Sequence, residues 1–243
     1  MHIAFSGRLG SGKSTVCRIL KDKYGFEIYS TGSVQRAVAE KMGISTLELN
    51  KLMANDPKLD FEIDNAVTAI SKEKDRILFD SRMAWHFAVN AFKVYMYVDP
   101  NVAAKRVCGD DRGSVEKYGS VGEARDLLIS RTKEENARYK KIYGVDNLDF
   151  RNYDLIIDST SATPDEIAET IYREYLSACE GKKSFKVFIS PLSVAPADVK
   201  DDGENAKVRV TGDGFMLVSG YAAYKKALDG KESFIEVTLD CEE

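Results

Sequence analysis

Eight residues near the amino end, Gly7-Arg8-Leu9-Gly10-Ser11-Gly12-Lys13-Ser14, constrain this chain more than any other stretch. A glycine, four intervening residues and then Gly-Lys-Ser give a backbone that can wind around a group of oxyanions. The preceding run, His2-Ile3-Ala4-Phe5-Ser6, is short and apolar and reads as a buried strand, and in Thr15-Val16-Cys17-Arg18-Ile19-Leu20 the apolar positions recur at helical spacing. Strand, glycine-rich turn and helix let successive N–H groups point inward at a polyphosphate, and side chains at Gly7 or Gly12 are expected to obstruct that approach. The helix start adds partial positive charge. Lys13 is then placed to reach the outer phosphates, and the Ser14 hydroxyl to ligate Mg2+. Gly7, Gly10, Ser11, Gly12, Lys13, Ser14 and Thr15 are therefore candidate nucleotide contacts.

Four further apolar runs, Phe26–Tyr29, Arg76–Phe79, Phe92–Val98 and Asp154–Asp158, alternate with helical segments. They predict an α/β three-layer sandwich with a five-stranded parallel sheet covered on both faces. Ligands of such sheets lie beyond the carboxyl ends of the strands. Asp80-Ser81-Arg82, closing the third run, therefore falls beside the glycine-rich turn, with Asp80 a candidate metal ligand and Arg82 a candidate phosphate clamp. Between the second and third runs, Ser30-Thr31-Gly32-Ser33 offers helix caps, and Val34 to Met42 predicts a helix that carries Arg36. A second capped helix is expected from Ser45-Thr46, and a third from about Leu59 to Ser71. On that third helix Asp60 and Asp64 stand four apart, ordinarily a solvated pair, with Asp64 kept as a candidate substrate contact. From Ala103 to Tyr143 the chain is dense in charge and includes Arg106, Arg125, Arg131 and Arg138. Its glycine-bearing part, Gly109 to Gly122, reads as a mobile connector, and arginines flanking such a connector suit a lid over phosphates.

The 243 residues carry a formal net charge of −4 with no basic portion, so nucleic acid is not an expected partner. Cys17, Cys108, Cys179 and Cys241 lack C-x-x-C spacing and only His2 and His86 could join them, so no zinc site is expected. No leader is recognisable and no apolar run approaches the roughly 18 residues of a membrane span, which predicts a cytoplasmic protein with no membrane partner. The pattern changes at Glu180-Gly181-Lys182-Lys183. Beyond it, Phe185–Ile189, Ala206–Val210, Phe215–Val218 and Phe234–Leu239 read as short strands, with a hairpin turn at Thr211-Gly212-Asp213-Gly214 and a helix from Gly220 to Leu228. A division into residues 1–179 and a small α+β domain, 180–243, is expected. The small domain is of a size that leans on its neighbour, on a protein partner or on a second copy in a homodimer, and the exposed-looking Tyr221 and Tyr224 are candidates to pack on the main domain or on another subunit.

Several stretches carry a family resemblance. Thr31-Gly32-Ser33-Val34-Gln35-Arg36 resembles an S-G-x-x-x-R acceptor loop, and Asp80-Ser81-Arg82-Met83-Ala84-Trp85 resembles a [DE]-G-R-L-A-G-W stretch. Arg138-Tyr139-Lys140-Lys141-Ile142-Tyr143-Gly144-Val145-Asp146, followed by Asp149 and Tyr153-Asp154-Leu155, is similar to R-Y-x-x-x-Y-G-I-D…D…Y-D-L. Together they make residues 1 to about 178 similar to P-loop nucleoside monophosphate kinases of the cytidylate kinase-like group. Ser81 stands where that group usually has glycine, and Thr31 where it has serine. The resemblance implies ATP- and Mg2+-dependent phosphoryl transfer to a nucleoside monophosphate, with CMP or dCMP preferred. It implies that Thr31, Arg36 and Arg82 hold the acceptor phosphate, while Arg106, Arg131 and Arg138 serve the lid and the donor, with Lys13 catalytic. The tail, through Gly214-Phe215-Met216-Leu217-Val218-Ser219-Gly220-Tyr221, resembles ParB-like and sulfiredoxin-like folds but lacks their charged residues after the glycine. Two alternatives from the residues themselves are an ATP-switched interaction protein and a kinase of another small phosphorylated metabolite.

Overall fold

Strand β1 (His2–Gly7) is buried at every position and lies between β3 (Ile77–Asp80) and β4 (Ala91–Tyr97), parallel to both. This is a computed structural model. It describes the chain apart from residues 46–47, 50–51, 53–57, 110–117, 183–184, 197–198, 200–204, 213 and 241–243, and apart from side chains at 33–34, 36–38, 41, 58–60 and 62–63. Strand β2 (Glu27–Ser30) pairs with the far side of β3, and β5 (Leu155–Asp158) with the far side of β4, again parallel. The five expected strands thus form the series β2-β3-β1-β4-β5. Register decides what meets at the edge: Phe5 stands opposite Asp80, and Asp80 opposite Ser30. The ends of β1, β2 and β3 therefore open onto one place.

Successive residues of a strand face opposite sides of the sheet. Ile3, Phe5, Leu78, Val94, Met96 and Ile157 pack beneath α1 (Lys13–Tyr24) and α7 (Pro164–Cys179), while Ala4, Phe79, Tyr95 and Ile156 pack with Trp85, Phe150 and Tyr153 on the other face. These two apolar layers enclose a three-layer sandwich, the P-loop NTPase fold. Helix α1 ends where Gly25 takes a left-handed conformation and its N–H closes onto the Lys21 carbonyl. Helix α7 opens with a capping box, Thr163 and Glu166 each bonding the other's backbone, as the Thr-Pro-Asp-Glu sequence leads one to expect. The remaining helices are α2 (Thr31–Met42), α3 (Lys58–Glu73), α4 (Ala84–Phe87), α5 (Pro100–Gly109) and α6 (Val121–Tyr143). Helix α2 starts at Thr31, three residues before the expected start, because Ser30, Thr31 and Ser33 are all capping types and composition does not choose among them. The core of the expected mobile connector, residues 110–117, lies outside the described residues. The Ser45 cap is present and exchanges hydrogen bonds with Glu48, whereas residues 46–47 of that helix lie outside the description.

The tail continues the same sheet. Strand β6 (Lys186–Ile189) runs parallel beside β5, and the order proceeds through β10 (Ile235–Leu239), β8 (Ala206–Thr211) and β9 (Gly214–Ser219) to β7 (Val194–Ala195). Strands β8 and β9 form the expected antiparallel hairpin. Val187, Ile189, Val208, Phe215 and Leu217 join the cluster that holds Tyr97 and Phe150, with the Tyr97 and Phe215 rings 4.8 Å apart. Helix α8 (Tyr221–Asp229) carries the two tyrosines, and they part company. Tyr224 is buried and its hydroxyl donates to the Val194 carbonyl at 3.3 Å, leaving only Tyr221 at the surface. Among the described residues no helix is long and apolar enough to cross a membrane, and no group of three His, Cys, Asp or Glu is placed to hold a metal.

Candidate active site

The glycines of the turn are required for separate reasons. Gly7 has φ +133, and a Cβ there would lie 2.2 Å from the Met96 carbonyl oxygen, so β4's backbone excludes any side chain. At Gly10, φ +76, a Cβ would meet Ala103 of α5 at 3.0 Å. Gly12, φ +82, has open space within the protein, so its constraint is the left-handed backbone that starts α1 and not crowding by protein atoms. Thr15 and Val16 N–H groups close the first turn onto the Gly12 carbonyl. The Lys13 ammonium donates to the carbonyls of Arg8 at 2.9 Å and Gly7 at 3.2 Å, which holds its charge at the loop. Ser11 is buried within it. The Ser14 hydroxyl donates to Asp80 Oδ2 at 2.8 Å, which joins the turn after β1 to the end of β3.

Arg106, projecting from α5, spans the other side of the loop. It donates to the Ser159 carbonyl at 2.7 Å, the Ser159 hydroxyl at 3.2 Å and the Gly10 carbonyl at 3.4 Å. Burial lowers its pKa and the Asp158 carboxylate opposes that change. This arginine is therefore tied to the phosphate loop and to the end of β5 together.

A second cationic group lies at the end of β3. Arg82 pairs with Glu135 of α6, and Arg131 reaches the same carboxylate one turn back on the helix, Nε to Oε1 3.0 Å. Burial, with the nearby Arg131 charge, pulls the Arg82 pKa down to about 10, which leaves it a cation at neutral pH. Arg138, one turn further along α6, lies over the Tyr139 ring at 5.3 Å. Glu135 was not among the residues singled out from sequence. Its position, four after Arg131 and three before Arg138, puts all three on one helix face, and that spacing is the signal that finds it.

Asn147 is a second unanticipated residue. Its buried side-chain oxygen accepts from Ser6 Oγ, Trp85 Nε1 and Tyr153 OH, at 3.2, 2.6 and 2.9 Å, and its N–H donates to Asn136 of α6. The Arg82 carbonyl lies 3.1 Å from the same Ser6 Oγ, so the single hydroxyl proton is shared between it and Asn147. The end of β1, the Arg82 backbone and the arginine-bearing helix are thereby locked together.

The remaining candidates fall around this centre. Thr31 is buried at the start of α2, directly after the β2 residue in register with Asp80. Arg36 belongs to α2, and its side chain lies outside the described residues. Asp64 is not part of a solvated face: it is buried and accepts a hydrogen bond from the Tyr143 hydroxyl, which brings α3 against α6. The Asp60 side chain lies outside the described residues. His2 is buried with both ring nitrogens engaged, which leaves none for proton transfer.

Comparison with known proteins places this geometry. Residues 2–161 match the profile of the cytidylate kinase-like family, a stretch that contains every candidate site residue. A cytidylate kinase from Thermoplasma acidophilum is 32% identical over 172 residues, covering 69% of this chain and 88% of the relative. A cytidylate kinase from Ignicoccus hospitalis is 33% identical over 175 residues, covering 72% of this chain and 98% of that protein. Shikimate kinase from Bacteroides thetaiotaomicron superposes with a TM-score of 0.50 at 14% identity, over 74% of this chain and 98% of its own, a likeness of fold.

Proposed function

The chain belongs to the cytidylate kinase-like family of nucleoside monophosphate kinases, and we propose that it transfers a phosphoryl group from ATP to CMP or dCMP. The observation that carries this reading is the 2.8 Å contact between Ser14 and Asp80. It joins a phosphate loop bearing Lys13, which Arg106 of α5 reaches from the other side, to a strand end bearing Arg82, so two phosphate-seeking groups of cations serve one sheet edge. The residues support separate roles. Loop N–H groups, Lys13 and Arg106 bind the donor. Thr31, Arg36, Asp64 and Arg82 bind the acceptor. Arg131 and Arg138 bring positive charge from α6 over the transferred group.

Ser14 and Asp80 fit a Mg2+ ion. They offer a hydroxyl and a carboxylate oxygen, hard donors of the kind this ion takes in small number while keeping water and phosphate as its other ligands. When bound, it neutralises charge on the donor phosphates. Phosphoryl transfer passes through a loose transition state, so alignment and neutralisation account for most of the catalysis. Lys13 is held by carbonyls that phosphate oxygens outcompete, because an ammonium bonds more strongly to an anion than to a neutral oxygen. The acceptor phosphate is already a nucleophile. No general base is required, in keeping with the absence of a histidine among the candidate groups.

We further propose that residues 1–179 hold this chemistry and that 180–243 are accessory. The test is ADP release across a panel of acceptors with ATP and Mg2+. ADP formed only when CMP or dCMP is added supports the proposal, and hydrolysis indifferent to the acceptor overturns it.

A further inference from the structure

The family match ends at residue 161, yet the polar network that holds Arg106 runs on into the tail. Asp158, at the end of β5, is fully buried. Its Oδ1 accepts from the N–H and the hydroxyl of Thr160, at 2.9 and 2.6 Å, and its Oδ2 accepts from the N–H of Ser190 at 3.1 Å. Ser190 is itself fully buried directly after β6, and its hydroxyl meets that of Ser161 at 2.5 Å and accepts from Leu192 N–H. Ser193 Oγ donates to Thr160 Oγ1 at 3.2 Å, and the same Thr160 oxygen accepts from the N–H of Asp99, which opens Arg106's own helix. A buried carboxylate is tolerated only when such donors surround it. Here the tail contributes, through the Ser190 N–H and the Ser193 hydroxyl.

Across the 158–161 segment lies the donor side. Arg106 is held by the carbonyls of Ser159 and Thr160, at 2.7 and 3.5 Å, and by Ser159 Oγ, and it also donates to the carbonyl of Gly10 in the phosphate loop. A continuous series of hydrogen bonds therefore leads from the tail's Ser190–Ser193 turn through Asp158 and Thr160 to Arg106 and the loop. Sheet pairing of β5 with β6 needs none of these side chains.

We propose that the Ser190–Ser193 turn is a positioning element of the donor-nucleotide subsite: by holding segment 158–161 it sets where Arg106 stands against the phosphate loop, so the tail governs ATP affinity without supplying a catalytic group. This rests on the reading of the chain as an ATP-dependent kinase.

The test uses the full chain with Ser190→Ala, Ser193→Ala, Arg106→Gln and the double variants. KM is measured for ATP and CMP separately, with direct binding of a fluorescent N-methylanthraniloyl ATP in the absence of acceptor. Each serine variant is expected to raise the ATP KM and the analogue Kd about three- to tenfold, the scale of one lost hydrogen bond, with the CMP KM within about twofold. In the Arg106→Gln background the serine effect is expected to vanish, since coupled residues are non-additive. An unchanged ATP KM in folded Ser193→Ala overturns the proposal, as does an equal change in both KM values or a serine effect that survives without Arg106. Ser193 is only half-buried and carries the test if Ser190→Ala does not fold. Failure of the wild-type chain to phosphorylate any nucleoside monophosphate sinks the kinase reading instead, and the analogue-binding arm still decides the positioning claim.

Discussion

Replacing Glu135 by glutamine removes the negative charge between Arg82 and Arg131 while keeping side-chain size. Both arginine side chains are about one-fifth exposed and the Glu135 side chain 9% exposed, so the three charges are mostly withdrawn from water. Removing one partner of a buried ion pair costs about 3–5 kcal/mol. Residual exposure of the arginines and the remaining amide oxygen, which still accepts a hydrogen bond, reduce the expected loss to about 2 kcal/mol. For a chain of this length that lowers Tm by roughly 4–8 °C. The assay is thermal unfolding of wild type and Glu135→Gln, with and without ADP and CMP together. Phosphate oxygens should replace the missing carboxylate between the arginines, so nucleotides are expected to raise the variant's Tm more than the wild type's. Because Arg82 and Arg131 lose the group that orients them, kcat/KM for CMP should fall by about tenfold or more. A variant with wild-type Tm and unchanged kcat/KM would refute the claim that this carboxylate organises Arg82 and Arg131.

On the proposed mechanism Lys13→Ala should lower kcat by about a hundred- to a thousandfold with little change in Tm, since it removes the ammonium assigned to neutralise transferring oxygens and takes no packing from the core; near-normal turnover would contradict this. Gly7→Ala should unfold or aggregate the protein, because its Cβ would sit 2.2 Å from the Met96 oxygen. Gly12→Ala should fold with about 1 kcal/mol lost to its left-handed backbone, and equal Tm values for the two variants would break that contrast. His2 should resist protonation: Nδ1 accepts from Ile77 N–H, Nε2–H donates to the Ser71 carbonyl, and burial lowers the ring's pKa. The unfolded chain therefore binds this proton more readily than the folded one. The resulting stability is fully present above about pH 6.5 and is lost as pH falls toward the folded pKa. NMR titration of the His2 ring checks the direction, and a midpoint at or above 6.5 would reverse it.

The phosphate loop, the five parallel strands and the candidate residues at their carboxyl ends were legible because each rests on local pattern: glycine spacing, apolar runs and capping residues. What escaped was set by contacts between distant segments. Alternating apolar residues mark β6, β8, β9 and β10 as strands, but do not say that β6 pairs with β5 and so ties residues 180–243 to the central sheet. Strand β7 has two residues, too short for any periodicity. Asp64 carries the spacing of a solvated helix face, yet the Tyr143 hydroxyl from α6 draws it inside. Tyr224 reads as surface until Val194 and the core below it are in place. Glu135 was within reach of helical spacing, whereas Asn147 was not, since its three donors come from β1, α4 and the segment before β5.

The central claim is transfer of the terminal phosphoryl group of ATP to an acceptor nucleotide at the edge formed by β1, β2 and β3. Incubation of the full chain with Mg2+, CMP and ATP labelled at the γ-phosphate, followed by chromatographic separation, tests it directly. The label is predicted in the β-phosphate of CDP, in amounts equal to the ADP formed and at a rate lowered about a hundred- to a thousandfold by Lys13→Ala. Label recovered only as inorganic phosphate, at a rate unaffected by CMP or dCMP, would contradict the account.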